Sequence, residues 1–335
     1  MTKNSTAIIF GFIFLVVLFF LNISLGSVLI PFIEIFNVIF SKASENAYHI
    51  IIFDFRLPKA IVAVLVGFAL SISGMMMQTY FKNPLAGPYV LGLSSGSSLG
   101  VALLIMGSSI FPWLIVNETF ISLVSIAGSF FVFMLIIIIA KRIKQSMAVL
   151  LVGIMFSSFA SAIISVLSFF SSAENLQRFT FWSMGNLGSL NWNKISFILF
   201  FVIFGLFLCF TQLKTLNALL LGENYALSMG VNINQSKYFI IISTAILTGI
   251  ISAFVGPIAF VGLIVPHIVK MIFKTSQHHL LFWHSLWVGG SLMLIFDIIS
   301  QLPGSSFMLP INAVTSLIGA PFVVWIIFKK SKHLY

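Results

Sequence analysis

Charge is what this sequence has least of. Only 7% of its 335 residues are charged, against 60% that are hydrophobic, whereas soluble domains carry about 25% charged residues. A chain this apolar has no polar coat to keep it dispersed in water. A soluble fold is excluded, and the lipid bilayer is the solvent in which the composition makes sense. Cysteine is nearly absent. The one residue, Cys209 in the run FVIFGLFLCF, excludes an intrachain disulfide and a cysteine-based zinc site, and reads as a small apolar packing residue. No Gly-Lys dipeptide occurs, so the chain has no phosphate-binding P-loop. No His-x-x-x-His pair occurs either. His278, His279 and His284 gather near one end of an apolar run and read as interfacial polar residues rather than a metal set. The middles of the apolar runs hold almost no ionisable groups. Asp297 is the nearest, towards one end of its run. An ion-coupled secondary transporter relies on such buried groups as its relay, and a membrane enzyme relies on clustered catalytic groups. Neither reading finds its residues, so no catalytic residue and no bound metal or cofactor is expected.

The formal net charge is +10, which by itself would suggest nucleic acid. The basic residues instead form short clusters between apolar runs, as the positive-inside rule describes, and nucleic acid is not an expected partner. A spanning helix needs about 20 mostly apolar residues. The runs 7–30, 57–80, 92–110, 114–140, 147–171, 192–212, 236–255, 257–273, 280–301 and 310–328 qualify, giving ten spans in one domain over 1–335. The first lacks a small-residue cleavage site and reads as a retained helix. Gly256-Pro257 divides the seventh from the eighth. With the N-terminus inside, twelve basic residues fall on the cytoplasmic side (Lys3, Lys82, Lys141, Arg142, Lys144, Lys214, Lys237, Lys270, Lys274, Lys329, Lys330, Lys332). Five fall outside (Lys42, Arg56, Lys59, Arg178, Lys194). Both termini are then cytoplasmic.

Three segments are left over: an outer loop at 31–56, an outer segment at 172–191 expected to hold a short helix, and an inner loop at 213–235. The inner loop, LKTLNALLLGENYALSMGVNINQ, has helical apolar spacing broken by Gly222 and Gly230. It reads as two short helices joined by a glycine turn. A helical bundle with no energy source of its own and a structured inner loop fits a pore with a docking surface for a separate motor.

Within the spans, Gly67, Ser71, Ser73 and Gly74 recur three or four apart, which lets helix backbones approach closely. Met75, Met76, Met77 and Gln78 either line a passage for bulky ligands, for which flexible methionine is suited, or pack against neighbours. Asn83, Pro84, Leu85, Ala86, Gly87 and Pro88 cannot continue a helix, with two prolines in five residues. Non-helical backbone at membrane depth must be covered by protein or line a cavity. The following LGLSSGSSLG, with Gly92 and Gly96, suits close packing or a polar wall.

The stretch RLPKAIVAVLVGFALSISGMMMQTYFKNPLAGPYVLGLSSGSSLG, from Arg56, closely resembles a signature of the iron-siderophore and vitamin B12 permease family (the FecCD family) of ATP-binding-cassette importers. LLGENYALSMGVN, GPIAFVGLIVPHIVK (Gly256, Pro257, Pro266, His267) and LPINAVTSLIGAPFVVWII (Gly319, Pro321) resemble three more, in the same order, over roughly residues 50–330. The resemblance implies an all-α membrane subunit of ten spans, working as a homodimer in the bacterial cytoplasmic membrane. Its partners would be two ATP-binding subunits, which carry the ATP and Mg, and an external substrate-binding protein. Its substrate would be a ferric siderophore, with haem or cobalamin as alternatives. It also implies that Leu221, Gly222, Glu223, Ala226 and Gly230 contact the ATPase, and that Arg56 and Lys59 dock the binding protein. A cytoplasmic gate is implied at Gln145, Ser146 and Met147, of which only Ser146 keeps the family's small hydroxyl type. Two further departures concern docking: Gln301 where an arginine is usual, and Met308 where a glutamate is usual.

Overall fold

A computed structural model describes residues 3–40, 47–109, 111, 113, 116–142, 146–305 and 307–331. Among the described residues the chain is helical, with no strand. In order, the α-helices are α1 (Lys3–Ser24), α2 (Phe32–Phe40), α3 (Ala47–Ile50), α4 (Leu57–Tyr80), α5 (Leu93–Ile105), α6 (Glu118–Arg142), α7 (Ser146–Phe170) and α8 (Ala173–Ser183). They continue with α9 (Trp192–Thr211), α10 (Leu213–Leu220), α11 (Glu223–Ser228), α12 (Ile233–Val255), α13 (Val261–Phe273), α14 (His278–Gln301) and α15 (Ile311–Ser331). Seven of the described helices are long and apolar enough to cross a membrane, and three shorter apolar ones, α5, α13 and α15, make up the expected ten.

The boundaries follow local chemistry. Segment 31–56, expected as a loop, is largely helical. It holds α2, and then α3 runs through a π-helical turn, Ile51–Arg56, directly into α4. The second span is therefore one helix from Tyr48 to Tyr80. Pro58 does not begin this helix, although proline near a helix start usually marks that start. Here the wide π turn, closed by Leu57 N–H to the Ile52 carbonyl, precedes the ring and lets the helix pass through it. The 172–191 segment holds α8, which has no buried residue.

Helix α4 is the hub. It packs on α14, α13, α12 and α9, and most of its length is buried. Membrane helices gain little from the hydrophobic effect between them, so close van der Waals packing must hold them. The small-residue face supplies it. A Cβ on Gly67 would strike the backbone of Gly289 on α14, and one on Gly74 would strike the carbonyl of Gly262 on α13. Gly96 meets Gly128 of α6 in the same way. Around the hub, α1 leans on α14, α5 on α6 and α7, and α12 on α6 and α9. Helix α7 keeps much of its surface uncovered.

Gly74→Ala should lower the midpoint of thermal unfolding in detergent, by the roughly 1–3 kcal/mol typical of overpacking. Gly87→Ala, where nothing lies within 4 Å of the added carbon, should leave it unchanged. Equal midpoints for the two variants would contradict the packing assigned to Gly74.

Candidate functional site

At the end expected to face outward, the residues expected to dock a partner are engaged inside the chain. Arg56 is half-buried, and its guanidinium donates to the carbonyls of Ile23 at 2.7 Å and Ser24 at 3.0 Å, and to that of Val28. These acceptors lie at and just beyond the C-terminus of α1, where carbonyls have no helical partner and a cation is favoured. Lys59 Nζ lies 2.9 Å from Asp297 Oδ1, with the two side chains 12% and 1% exposed. The other carboxylate oxygen accepts from Asn22 Nδ2 at 2.9 Å and Gln301 Nε2 at 2.7 Å. The Lys59 charge is thus neutralised within the chain rather than offered outward. Arg56, Lys59, Gln301 and Met308 nevertheless line one outward cavity of about 500 Å³, together with Phe55 and Asn186. The two departures from the family pattern and the two expected docking residues are therefore neighbours.

In the last turns of α4 the expected passage residues are placed differently. Met75 and Met76 are fully buried and Gln78 nearly so. Ser243 Oγ lies 3.4 Å from Met76 Sδ, and Gln78 Nε2 donates to the Leu263 carbonyl at 3.0 Å. They belong to the packed subunit core, because α4 is enclosed by its neighbours, and they line no open passage in this subunit. Asn83 closes the turn after α4 by accepting from the Leu85 N–H at 2.9 Å. Pro84 is half-buried beside it, while Ala86, Gly87 and Pro88 are buried. Gly92, in left-handed conformation, starts α5 against Gly153 of α7.

A second break, 256–260, separates α12 from α13. Its amides are satisfied from afar. The Ile258 N–H donates to Tyr89 Oη at 2.8 Å, and the Ala259 N–H to Asn312 Oδ1 of α15 at 3.1 Å. Pro266 and His267 lie within α13, Gly319 of α15 abuts Phe260 and Ile264, and Pro321 follows on the exposed side of α15. Tyr89, Asn312, Pro257 and Ala259 share a cavity of about 350 Å³ with Ser94, Ser95, Ser98 and Ser161. Its wall is rich in hydroxyl and amide groups and carries no charge. Helix α7 lines the cavity with Ala160, Ser161 and Ile164, and on a different face exposes Met155, Ser158, Ala162 and Ser165 among larger apolar residues such as Leu151, Phe159 and Val166. Of the expected gate, Met147 is exposed at the start of α7, and Ser146 is its first residue. Gln145 lies outside the described residues.

At the inner end, α10 buries Leu213, Leu216, Ala218 and Leu219 against the bundle, and α11 buries Ala226. Gly222 joins them at φ +111° and Gly230 ends the pair at φ +80°. Both values lie in a region that side-chain-bearing residues rarely adopt. The pair presents Leu220, Leu221, Tyr225, Leu227 and Met229 outward. Lys82, Leu221, Gly222 and Glu223 line an open concavity of about 810 Å³. An exposed apolar patch rimmed by charge is the mark of a protein interface. Among the described residues, no group of three or more His, Cys, Asp or Glu could hold a metal ion.

Sequence reasoning missed Asn22, Tyr89, Thr79, Asn217 and Asn312. Each is a lone polar side chain in or beside an apolar run, which is a weak general signal for an internal hydrogen-bond partner. The outer ion pair yields a direct test. Asp297→Asn should cost about 3–5 kcal/mol by stranding Lys59 and Lys59→Met a similar amount by stranding Asp297, while the two combined should cost much less than their sum, because an asparagine oxygen at 297 still accepts from Asn22 or Gln301. A thermal-denaturation double-mutant cycle measures this, and additive losses would show the two groups to be uncoupled.

The model of the FecCD transport family matches residues 14–329. The haemin transport system permease protein HmuU of Yersinia pestis is 33% identical over 330 residues, covering 97% of this chain and 96% of that protein. The vitamin B12 import system permease protein BtuC of Yersinia enterocolitica is 32% identical over 279 residues, covering 82% of this chain and 81% of that protein. A solved structure of an ABC transporter described as of metal-chelate type, in an inward-facing conformation, superposes with a TM-score of 0.85 at 27% identity, covering 97% of this chain and 99% of that one. The order of helices, the two broken segments and the exposed inner helix pair accompany a family match over nearly the whole chain: this protein belongs to the FecCD transport family and is a multi-pass permease subunit of an ABC importer of the bacterial inner membrane.

Proposed function

We propose that the chain forms, with a second copy of itself, the passage through which a ferric siderophore enters the cell. Two ATP-binding subunits, which hold the ATP and Mg, drive it from the cytoplasm, where both termini of this chain lie. An external substrate-binding protein delivers the chelate. The observation that carries this reading is the uncharged cavity of about 350 Å³ walled by Ser94, Ser95, Ser98 and Ser161 together with Tyr89 and Asn312. Ser94 of this wall bonds Ser252 Oγ of α12 at 2.9 Å, while on α7 Ser158 bonds back to the Ile154 carbonyl at 3.2 Å and Ser165 to the Ser161 carbonyl at 2.9 Å. Such a wall suits a water-filled passage completed by a second subunit. It offers single hydrogen bonds to a polar chelate and no charge to trap it, which favours release over retention.

The serine wall favours a siderophore with a polar periphery over the flat apolar ring of haem. Haem and cobalamin are the competing substrates, supported by the names of the relatives and by the exposed Met155 and Phe159 on α7. Alternating access supplies the mechanism. ATP binding draws the ATPase subunits together, and the α10–α11 pair passes that motion to the spans. Gly222, Glu223, Ala226 and Gly230 keep the pair compact enough to act as a rigid body, and Leu221 is part of its contact surface. On the outside, the cavity that Arg56 and Gln301 line is the surface offered to the binding protein. Lys59 serves to hold Asp297, and no ion-coupled relay is needed.

In vesicles reconstituted with the co-purifying ATPase subunits and binding protein, iron-loaded siderophore should be taken up in an ATP-dependent manner. Haem and cyanocobalamin at equal concentration should compete weakly. Uptake of haem or cobalamin alone would overturn the substrate assignment. Gly222→Val and Glu223→Ala should each lower uptake per ATP hydrolysed at least fivefold while membrane insertion stays normal. Unchanged uptake and hydrolysis would remove the coupling role.

A further inference from the structure

On the reading that α10 and α11 receive the ATPase motion, that motion must cross from α10 into the spans. Most of the boundary is apolar. Leu213, Leu216 and Leu219 pack on the bundle, and apolar contacts of this kind tolerate sliding. One polar chain crosses it. His278, the first residue of α14, is fully buried. Its backbone N–H donates to Asn217 Oδ1 of α10 at 2.8 Å, and its ring Nδ1 lies 2.8 Å from that same atom. On the other side of the ring, Nε2 lies 2.8 Å from Thr79 Oγ1, in the last turn of α4.

The protons are determined by these partners. The backbone amide can only donate, so the Asn217 atom facing it is the carbonyl oxygen. A carbonyl oxygen can only accept, so Nδ1 carries a hydrogen. In the neutral ring Nε2 is then an acceptor, and the Thr79 hydroxyl donates to it. The same hydroxyl lies 3.0 Å from the Met75 carbonyl. Its single hydrogen therefore has two alternative acceptors, and the hydroxyl can leave the ring without being stranded.

We propose that His278 is a positioning residue that fixes the register of the coupling helix α10 on α14 and α4. The two bonds to Asn217 make α10 and the start of α14 move as one piece. The single bond to Thr79 is the point at which that piece releases from α4 and re-engages. The polar link thus transmits displacement across a boundary that leucine packing alone would let slip.

Three variants test this in the full-length permease: His278→Phe, which keeps a ring and loses both ring bonds, Asn217→Leu, and Thr79→Val, which keeps the shape of threonine. The first readout needs no nucleotide. Amide hydrogen exchange across α10 should quicken at least tenfold in His278→Phe and Asn217→Leu, while α12 stays protected. The second uses vesicles containing the ATPase subunits and binding protein. Uptake per ATP hydrolysed should fall at least fivefold in all three variants, with hydrolysis within twofold of the parent. The His278→Phe/Asn217→Leu double variant should be no worse than either single one. Unchanged exchange in α10 would overturn the proposal, as would uptake and hydrolysis falling together in proportion to lost thermal stability. Should His278→Phe not insert, Asn217→Leu and Thr79→Val decide the same question. A parent protein that shows no ATP-driven uptake would sink the transport reading alone, because the exchange measurement would still decide the role of His278.

Discussion

Water is missing from the middle of a bilayer, so every peptide group placed there must find its partner within the protein. Continuous helices meet this requirement automatically. This subunit departs from it at 81–92 and at 256–260, and the rest of its architecture follows from how those two breaks are satisfied. Tyr89, carried by the first break, and Asn312, carried by α15, bond to amides of the second. A short helix of 13 residues, such as α13, reaches only about 20 Å, less than the hydrocarbon thickness of about 30 Å. The covered irregular segment supplies the remaining depth. The same groups that satisfy the breaks form the polar wall beside α7. The solution of a folding problem and the lining of a polar cavity are here one set of side chains.

Charge obeys a similar rule. Cations that reach into the packed helices have internal partners: Lys59 pairs with Asp297, Arg56 with the carbonyls that end α1, and Lys237 with the Ala140 carbonyl of α6 at 2.6 Å. Each ties two helices together at a membrane boundary. A buried charge without such a partner would cost several kcal/mol. Charged residues are therefore used as fasteners, and the cavity walled by Tyr89, Asn312 and the serines of α5 is left uncharged.

The inner end shows how stiffness and contact are combined. Gly222 allows α10 and α11 to fold back on each other within a few residues, and their apolar outer side awaits a partner. Behind them, the Asn217–His278–Thr79 chain gives a direction-dependent link where leucine packing has none. Hydrogen bonds specify register in a way that dispersion contacts do not, and in a low-dielectric interior their geometry is strongly held.

Much of this was legible in the residues themselves. The ten spans, their order, the break at Gly256-Pro257 and the paired inner helices follow from apolar run length, proline and glycine, because those properties act locally and along the chain. The small-residue face of α4 was legible as a packing face for the same reason. What Met75, Met76 and Gln78 do was not. Three methionines in a row cover all sides of a helix, and only the enclosure of α4 by four neighbours decides that they are core. Lys59 and Asp297 are separated by more than two hundred residues, so no local pattern joins them. The chain by itself determined that this protein lives in lipid and that its helices break at 83–88 and at Gly256-Pro257. Tertiary structure alone decided which polar side chains meet across helices, because a hydrogen bond in lipid depends on where two helices cross and not on what lies beside either residue in sequence.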